Sequence, residues 1–262
     1  MNTTYEYLKL ALKTPIRFFL NGIANNHEII KKQESIKKYG VSEFPILDFP
    51  SGSDNLDINP YIFQPGNSTI PDILLLIFFS KNILKCNFLE IGSWRGETLK
   101  NLEQYCETLT SLTLGKEEMK EMGISESFIV QNGLFQKDIN KLKQVFKNTH
   151  SFDFADLNQK FDLIFIDGDH SYAGVLNDTK KVFQNCVHEN TVVVWHDYKD
   201  AQGIRYSVLA GILNGIPESY IKNVYHIQDT LCAVYIPSSV LGSFNLEENK
   251  KVNVFSIQVN IV

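Results

Sequence analysis

From residue 88 onward, short apolar runs alternate with longer mixed stretches, and this alternation restricts the fold more than any other feature of the chain. The runs are FLEIG (88–92), LTSLTL (109–114), FDLIFID (161–167) and TVVVWHD (191–197). Between them lie GETLKNLEQYC (96–106), KEEMKEMG (116–123) and YAGVLNDTKKVFQNCV (172–187), which carry helical spacing. Near-continuous apolar strands separated by helices predict an α/β fold whose parallel sheet is covered on both faces. Two later runs, VYHIQD (224–229) and LCAVYIP (231–237), are joined by a very short turn and predict an antiparallel strand pair at the end of the sheet. The alternating tail over 252–262 predicts one strand more.

The first third reads differently. Residues 1–40 are amphipathic and helical, with Pro15 opening a new turn or helix and Gly40 closing it. Pro, Gly, Ser and Asn throughout 41–70 predict an extended or looped segment, followed by a helix over 71–85 that begins at Pro71. The expected organisation is an N-terminal helical and loop extension over 1–70, serving as a cap or a homodimer surface, and a main domain over 71–262.

Composition excludes several functions. A net charge of −5 argues against a non-specific grip on nucleic acid. The four cysteines are far apart and form no CxxC pair, so a zinc cluster is not expected, and reduced thiols in a cytoplasmic protein are. The longest apolar run, ILLLIFF (73–79), is too short for stable membrane insertion.

In an open parallel sheet, ligands bind beyond the C-terminal ends of the strands. Gly92 and Gly96 follow the first strand, where glycine lets backbone approach a ligand and the next helix offers free N–H groups. Glu90 is an acid inside an otherwise apolar strand, costly to bury without a partner. The spacing E-x-G-x-x-x-G lacks the middle glycine of a dinucleotide loop, and SLTLGKE does not end its strand on an acid, so a nicotinamide dehydrogenase is disfavoured.

LEIGSWRGETLKNL resembles the first motif of class I S-adenosylmethionine (SAM)-dependent methyltransferases, and in particular the catechol O-methyltransferase-like branch. The resemblance implies a Rossmann-like class I methyltransferase sheet. It implies that Glu90, Gly92, Ser93, Trp94, Gly96 and Thr98 line the cofactor, with Trp94 as an aromatic contact and Thr98 on the methionine carboxylate. At the ribose position, where relatives place an acid, this chain offers Thr113, with Glu117 and Glu118 just beyond.

FIDGDHSY (165–172) and VVVWHDY (192–198) end neighbouring strands, which brings Asp167 and Asp197 to one edge about 5 Å apart. Such a pair is either solvated or shares a cation, and oxygen-rich sites suit Mg²⁺ or Mn²⁺. The wider stretch is similar to methyltransferase-24-like enzymes, which include sugar and antibiotic O-methyltransferases. In the metal-dependent ones, an acid ends the fourth strand and an acidic pair ends the fifth. Asp167 and Asp197 match, whereas His196 stands where the pair has its first acid, so the implied metal set is Asp167, Asp197 and His196. His170 occupies the position of the general base, three residues after Asp167, and Asp167 serves both cofactor and catalytic sides. The expected function is O-methylation of a small polar acceptor or sugar, in surface-glycan (polysaccharide) biosynthesis or natural-product tailoring. The alternatives are a non-catalytic SAM-fold partner protein and transfer to nitrogen or a phosphate-type oxygen.

Overall fold

The computed structural model describes residues 15–49, 58, 68–244 and 246, with side chains from residue 24 onward. Residues 1–14 and the strand expected over 252–262 lie outside the described residues. Helix α1 (Pro15–Tyr39) leads to a two-residue strand β1 (Ile46–Leu47). Helix α2 (Ile70–Asn82) starts with Pro71 in its first turn, and Asp72 folds back on the Thr69 backbone and hydroxyl. This is the reciprocal bonding that starts a helix before an apolar run.

Next come β2 (Asn87–Ile91), α3 (Glu97–Leu102), β3 (Thr108–Thr113), α4 (Lys116–Glu121), α5 (Glu126–Ile129) and β4 (Leu142–Phe146). The chain then crosses to β5 (Leu163–Ile166), α6 (Tyr172–Asn185) and β6 (Val192–Trp195). A small hairpin, β7 (Lys199–Asp200) with β8 (Gly203–Ile204), precedes α7 (Tyr206–Gly215), β9 (Val224–Ile227) and β10 (Ala233–Tyr235). Eight strands form one sheet in the order β1-β9-β10-β6-β5-β2-β3-β4. All neighbouring pairs are parallel except those of β10, which runs antiparallel to both β6 and β9. The mostly parallel sheet, helices on both faces and reversed strand agree with the expected architecture.

Each face has its own core. Phe88, Phe165, Val192 and Val194 pack with Leu75, Leu76, Phe79, Leu99 and Leu102 from α2 and α3. Leu89, Ile91, Ile164, Ile166, Val193 and Trp195 pack with Val175, Val182, Leu209 and Ile212 from α6 and α7. Alternation along a strand enforces this division. Full burial of one such side chain contributes roughly 1.5–3 kcal/mol, so these apolar strands are committed to the sheet interior. Trp195 completes its burial by donating its indole N–H to Thr179 Oγ1 at 2.9 Å.

Two elements depart from the sequence reading. LKQVF (142–146) forms edge strand β4; its lysine and glutamine are exposed, which weakens the apolar signal. The stretch 198–212, to which the sequence reading assigns no element, forms the β7–β8 hairpin and the start of α7, whose residues Ser207 to Leu213 are buried. Helix α1 lies against α7, where Glu28 accepts from the Ser207 N–H at 3.0 Å and Tyr39 donates to Asn214 at 2.9 Å. Strand β1 extends the sheet beside β9. Among the described residues, no helix is long and apolar enough to cross a membrane.

Candidate active site

Strand parity places the polar residues. Glu90 follows Phe88 by two, Asp167 follows Phe165 by two and His196 follows Val194 by two. Phe88, Phe165 and Val194 all face α2 and α3, so each following polar residue continues toward the same helices. The three strands are adjacent, β2 beside β5 beside β6, and the chain reverses its direction of travel across the sheet at β2. Ligand clefts of open α/β sheets form at such a switch point.

A cleft there is lined by Ser68, Glu90, Gly92, Trp94, Thr98 and Asp167, among others. Glu90 is fully buried; Thr98 hydrogen-bonds its carboxyl, and Glu90 Oε2 has no hydrogen-bond partner. Burial, and then the nearby Asp167 charge, push its pKa well above the ordinary glutamate value. An unpaired buried polar atom costs about 1–3 kcal/mol, which is recovered when a donor enters the cleft. A cationic ammonium group such as that of a bound amino acid moiety suits this floor. Gly92 has φ 97°, and a Cβ there would meet the carbonyl oxygen of Asp167 at 2.2 Å. The β2 and β5 loops therefore touch backbone to backbone. Ser93, buried, pairs its hydroxyl with that of Ser111 in β3. Trp94 stacks on Phe128 with centroids 4.3 Å apart and planes 4° apart, and the Arg95 guanidinium lies 4.0 Å from its ring. Arg95 is itself buried and ion-paired with Glu97. Gly96 (φ 93°) caps α3, and Thr113 is buried at the end of β3. Neither acid beyond it reaches back: Glu117 pairs with Lys120, and Glu118 accepts from the Gly115 N–H.

Beside this cleft lies a cluster of acids and imidazoles. One ligand atom each of Asp167, His196 and Asp197 fall within 4.8 Å of one another. His196 Nδ1 is 3.1 Å from Asp167 Oδ1 and 3.5 Å from Asp197 Oδ2. Its Nε2 is 3.3 Å from Asp72 Oδ2, and its ring meets Phe165 edge-on. Burial opposes a charged imidazole here, but Asp167, Asp197 and Asp72 outweigh it and hold the His196 pKa well above the usual range. Asp72 is likewise buried, which opposes its charge, yet His196, Thr69 and Leu231 hold it below the ordinary carboxylate value.

Asp197 adopts a left-handed backbone, φ 57°, which aspartate tolerates better than most residues. The turn aims its carboxylate at two further groups: His170 Nδ1 at 2.9 Å from Oδ2, and Arg205 Nη1 at 3.1 Å from Oδ1. Partial burial opposes its charge, but the two imidazoles hold Asp197 far below the carboxylate range. The Asp197 contact raises the pKa of half-exposed His170 above 6.5, against a smaller effect of burial. With Nδ1 bonded to Asp197, Nε2 is the nitrogen left to exchange a proton with a third molecule.

Asp169 forms the turn into α6, accepting from the Ser171 N–H and hydroxyl, both at 2.9 Å. Asp72 was not among the residues the sequence pointed to. Its only local signal is the Thr69-x-x-Asp72 helix start, which says nothing of a partner 124 residues away.

Residues 89–198 match a family model described as a methyltransferase domain. The match covers less than half of the chain. It runs from Leu89 in β2 to Tyr198 and so contains Glu90, Gly92, Asp167, His170, His196 and Asp197, whereas Ser68 and Asp72 precede it. No curated protein sequence matches the chain. Among solved structures, the chain resembles the O-methyltransferase NovP, at 10% identity over 66% of this chain and 83% of that one, with a TM-score of 0.49. It is also similar to CalS11, a TDP-rhamnose 3'-O-methyltransferase of calicheamicin biosynthesis, at 9% identity over 63% and 78%, TM-score 0.43. A third is TomG from Streptomyces achromogenes, an O-methyltransferase of tomaymycin synthesis in complex with SAM, at 12% identity over 65% and 81%, TM-score 0.42.

Proposed function

We propose that this methyltransferase transfers a methyl group from SAM to a hydroxyl of a small polar acceptor or sugar, with a divalent cation assisting. One observation carries the reading. Asp167 belongs to both halves of the site: it lines the cleft with Glu90 and Gly92, and it faces His196 and Asp197 in the cluster. A cofactor in the cleft and a proton acceptor in the cluster are thereby adjacent.

SAM, when bound, supplies a methyl group on a sulfonium that is a good leaving group. Glu90 would accept a hydrogen bond from its ammonium, and Thr98 at the start of α3 would hold its carboxylate. Gly92, Ser93, Gly96 and Trp94 form the wall, and Thr113 stands on the ribose side. Methyl transfer to an acceptor oxygen would release the sulfur side of SAM as a neutral thioether and leave the hydroxyl proton for a base. His170 Nε2 takes the hydroxyl proton, and Asp197 stabilises the resulting imidazolium through Nδ1.

The donor set fits a divalent ion. Two carboxylate oxygens and the unbonded Nδ1 of a buried imidazole point at one place. Asp167, Asp197 and His196 would hold the ion, and when bound it supplies positive charge that orients and acidifies the acceptor hydroxyl. The acceptor class is supported by the likeness of 165–198 to sugar and antibiotic O-methyltransferases. The test is transfer of labelled methyl from SAM to a panel of glycosides, nucleotide sugars and catechols, beside the thermal shift with S-adenosylhomocysteine. Labelled product and a raised melting temperature are expected. Neither effect at millimolar ligand would overturn the reading, and label on amines alone would replace the hydroxyl with nitrogen.

A further inference from the structure

The metal-assisted reading leaves open which cations the site prefers and what holds His196 in place. Asp72 answers both. It is fully buried, and donors surround it: Thr69 N–H at 2.7 Å and Thr69 hydroxyl at 2.6 Å on Oδ2, Leu231 N–H at 2.8 Å and the Cys232 thiol at 3.4 Å on Oδ1. Backbone amides can only donate, so this carboxylate is arranged as an acceptor. The His196 nitrogen 3.3 Å from it, Nε2, is therefore the one that carries hydrogen.

With Nε2–H turned to Asp72, Nδ1 is the nitrogen that would give up its proton and offer its lone pair when a metal ion binds. That atom is buried, makes no hydrogen bond, and faces Asp167 Oδ1 and Asp197 Oδ2. A carboxylate behind one imidazole nitrogen, with the other aimed at a ligand cluster, is how proteins fix the tautomer of a metal-binding histidine. Nitrogen in the set also changes which ions bind well. Mg²⁺ and Ca²⁺ favour all-oxygen shells, whereas imidazole suits the later first-row ions.

We propose that Asp72 is a positioning residue that holds His196 Nδ1 in a one-nitrogen, two-carboxylate site, so that the protein prefers Co²⁺ and Zn²⁺ over Mg²⁺ and Ca²⁺. This rests on the metal-assisted reading above. It assigns α2, which precedes the matched domain, a part in metal choice.

The test is a titration of the full-length protein with Co²⁺, followed by visible absorption, with Mg²⁺ as competitor. Wild type should bind Co²⁺ at least ~100-fold more tightly than Mg²⁺. Asp72→Asn should lose roughly 10–100-fold in Co²⁺ affinity while its affinity for S-adenosylhomocysteine stays within about threefold. Because Asp72 also starts α2, His196→Asp is measured in parallel; it leaves that helix start intact and should collapse the Co²⁺ to Mg²⁺ preference to within about tenfold. Equal affinity of wild type for the two ions overturns the proposal, as does either a His196→Asp protein with undiminished preference or a folded Asp72→Asn protein that binds Co²⁺ like wild type. Binding of S-adenosylhomocysteine, titrated separately, reports on the methyl-transfer reading: its absence beside a normal Co²⁺ preference would sink that reading and leave the cation site standing.

Discussion

A side-chain carbon on Gly92 would sit 2.2 Å from the carbonyl oxygen of Asp167 and 2.5 Å from the Cα of Gly168. The obstacle is backbone, held by the Asp167 N–H bond to the Ile91 carbonyl at 2.8 Å, so it cannot swing aside as a side chain would. Gly92→Ala adds this clash to the ~1–3 kcal/mol cost of a left-handed non-glycine residue. The expected result is a melting temperature lower by several degrees and loss of S-adenosylhomocysteine binding, read by scanning calorimetry with and without ligand. A variant that melts and binds like wild type would show that the two loops are not in contact.

Glu90→Gln separates stability from binding. Because burial raises the Glu90 pKa in the folded state, its favourable contribution is full below about pH 4.5 and is lost as pH rises through the folded value. Glutamine does not titrate. The variant should therefore melt higher than wild type at pH 8, with a smaller gap at pH 5. It should also bind SAM about tenfold or more weakly, since a charge-assisted bond to the ammonium is lost. A gap that shrinks as pH rises contradicts the burial argument.

His170→Ala removes the proposed proton acceptor, which is not among the residues that line the cleft. The turnover number should fall by roughly 10²–10⁴-fold, the scale of general-base catalysis. Affinity for S-adenosylhomocysteine, measured by isothermal titration, should change less than about threefold. Near-native turnover would move the role to another group.

Arg205 would compete with the proposed metal ion for Asp197, since the guanidinium holds Oδ1 at 3.1 Å. Arg205→Gln should tighten Co²⁺ binding several-fold in the same absorption titration. Weaker binding would mean that Arg205 supports the carboxylate's placement more than it opposes the ion.

Much of this was legible in the chain because strand-end chemistry is local. Glu90, Gly92, Asp167 and His170 lie within or just past apolar runs, and period-two alternation sets both their face and their edge. The two departures have a common cause. Edge strand β4 carries exposed lysine and glutamine, and α7 begins beside a two-residue hairpin, so neither shows the unbroken apolar run that marks β2, β5 and β6. Asp169, in the same strand-end stretch as Asp167 and His170, has a local part: its side chain closes the turn at Ser171. Asp72 is the opposite case. Its helix-start pattern is visible, but its meeting with His196 depends on α2 crossing the sheet over β6, a packing that no spacing along the chain encodes.

The reversal of β10 has a consequence for how the protein is made. Because that strand runs antiparallel to β6, its beginning, not its end, arrives beside Trp195 and the cluster. The amide of Leu231, just before it, is one of the donors that anchor Asp72. A nascent chain halted before residue 231 already holds all three strand-end motifs, yet lacks this anchor for the buried carboxylate. The cluster is therefore incomplete until residue 231 has been made, and a product truncated before it would carry the recognisable motifs without this anchor.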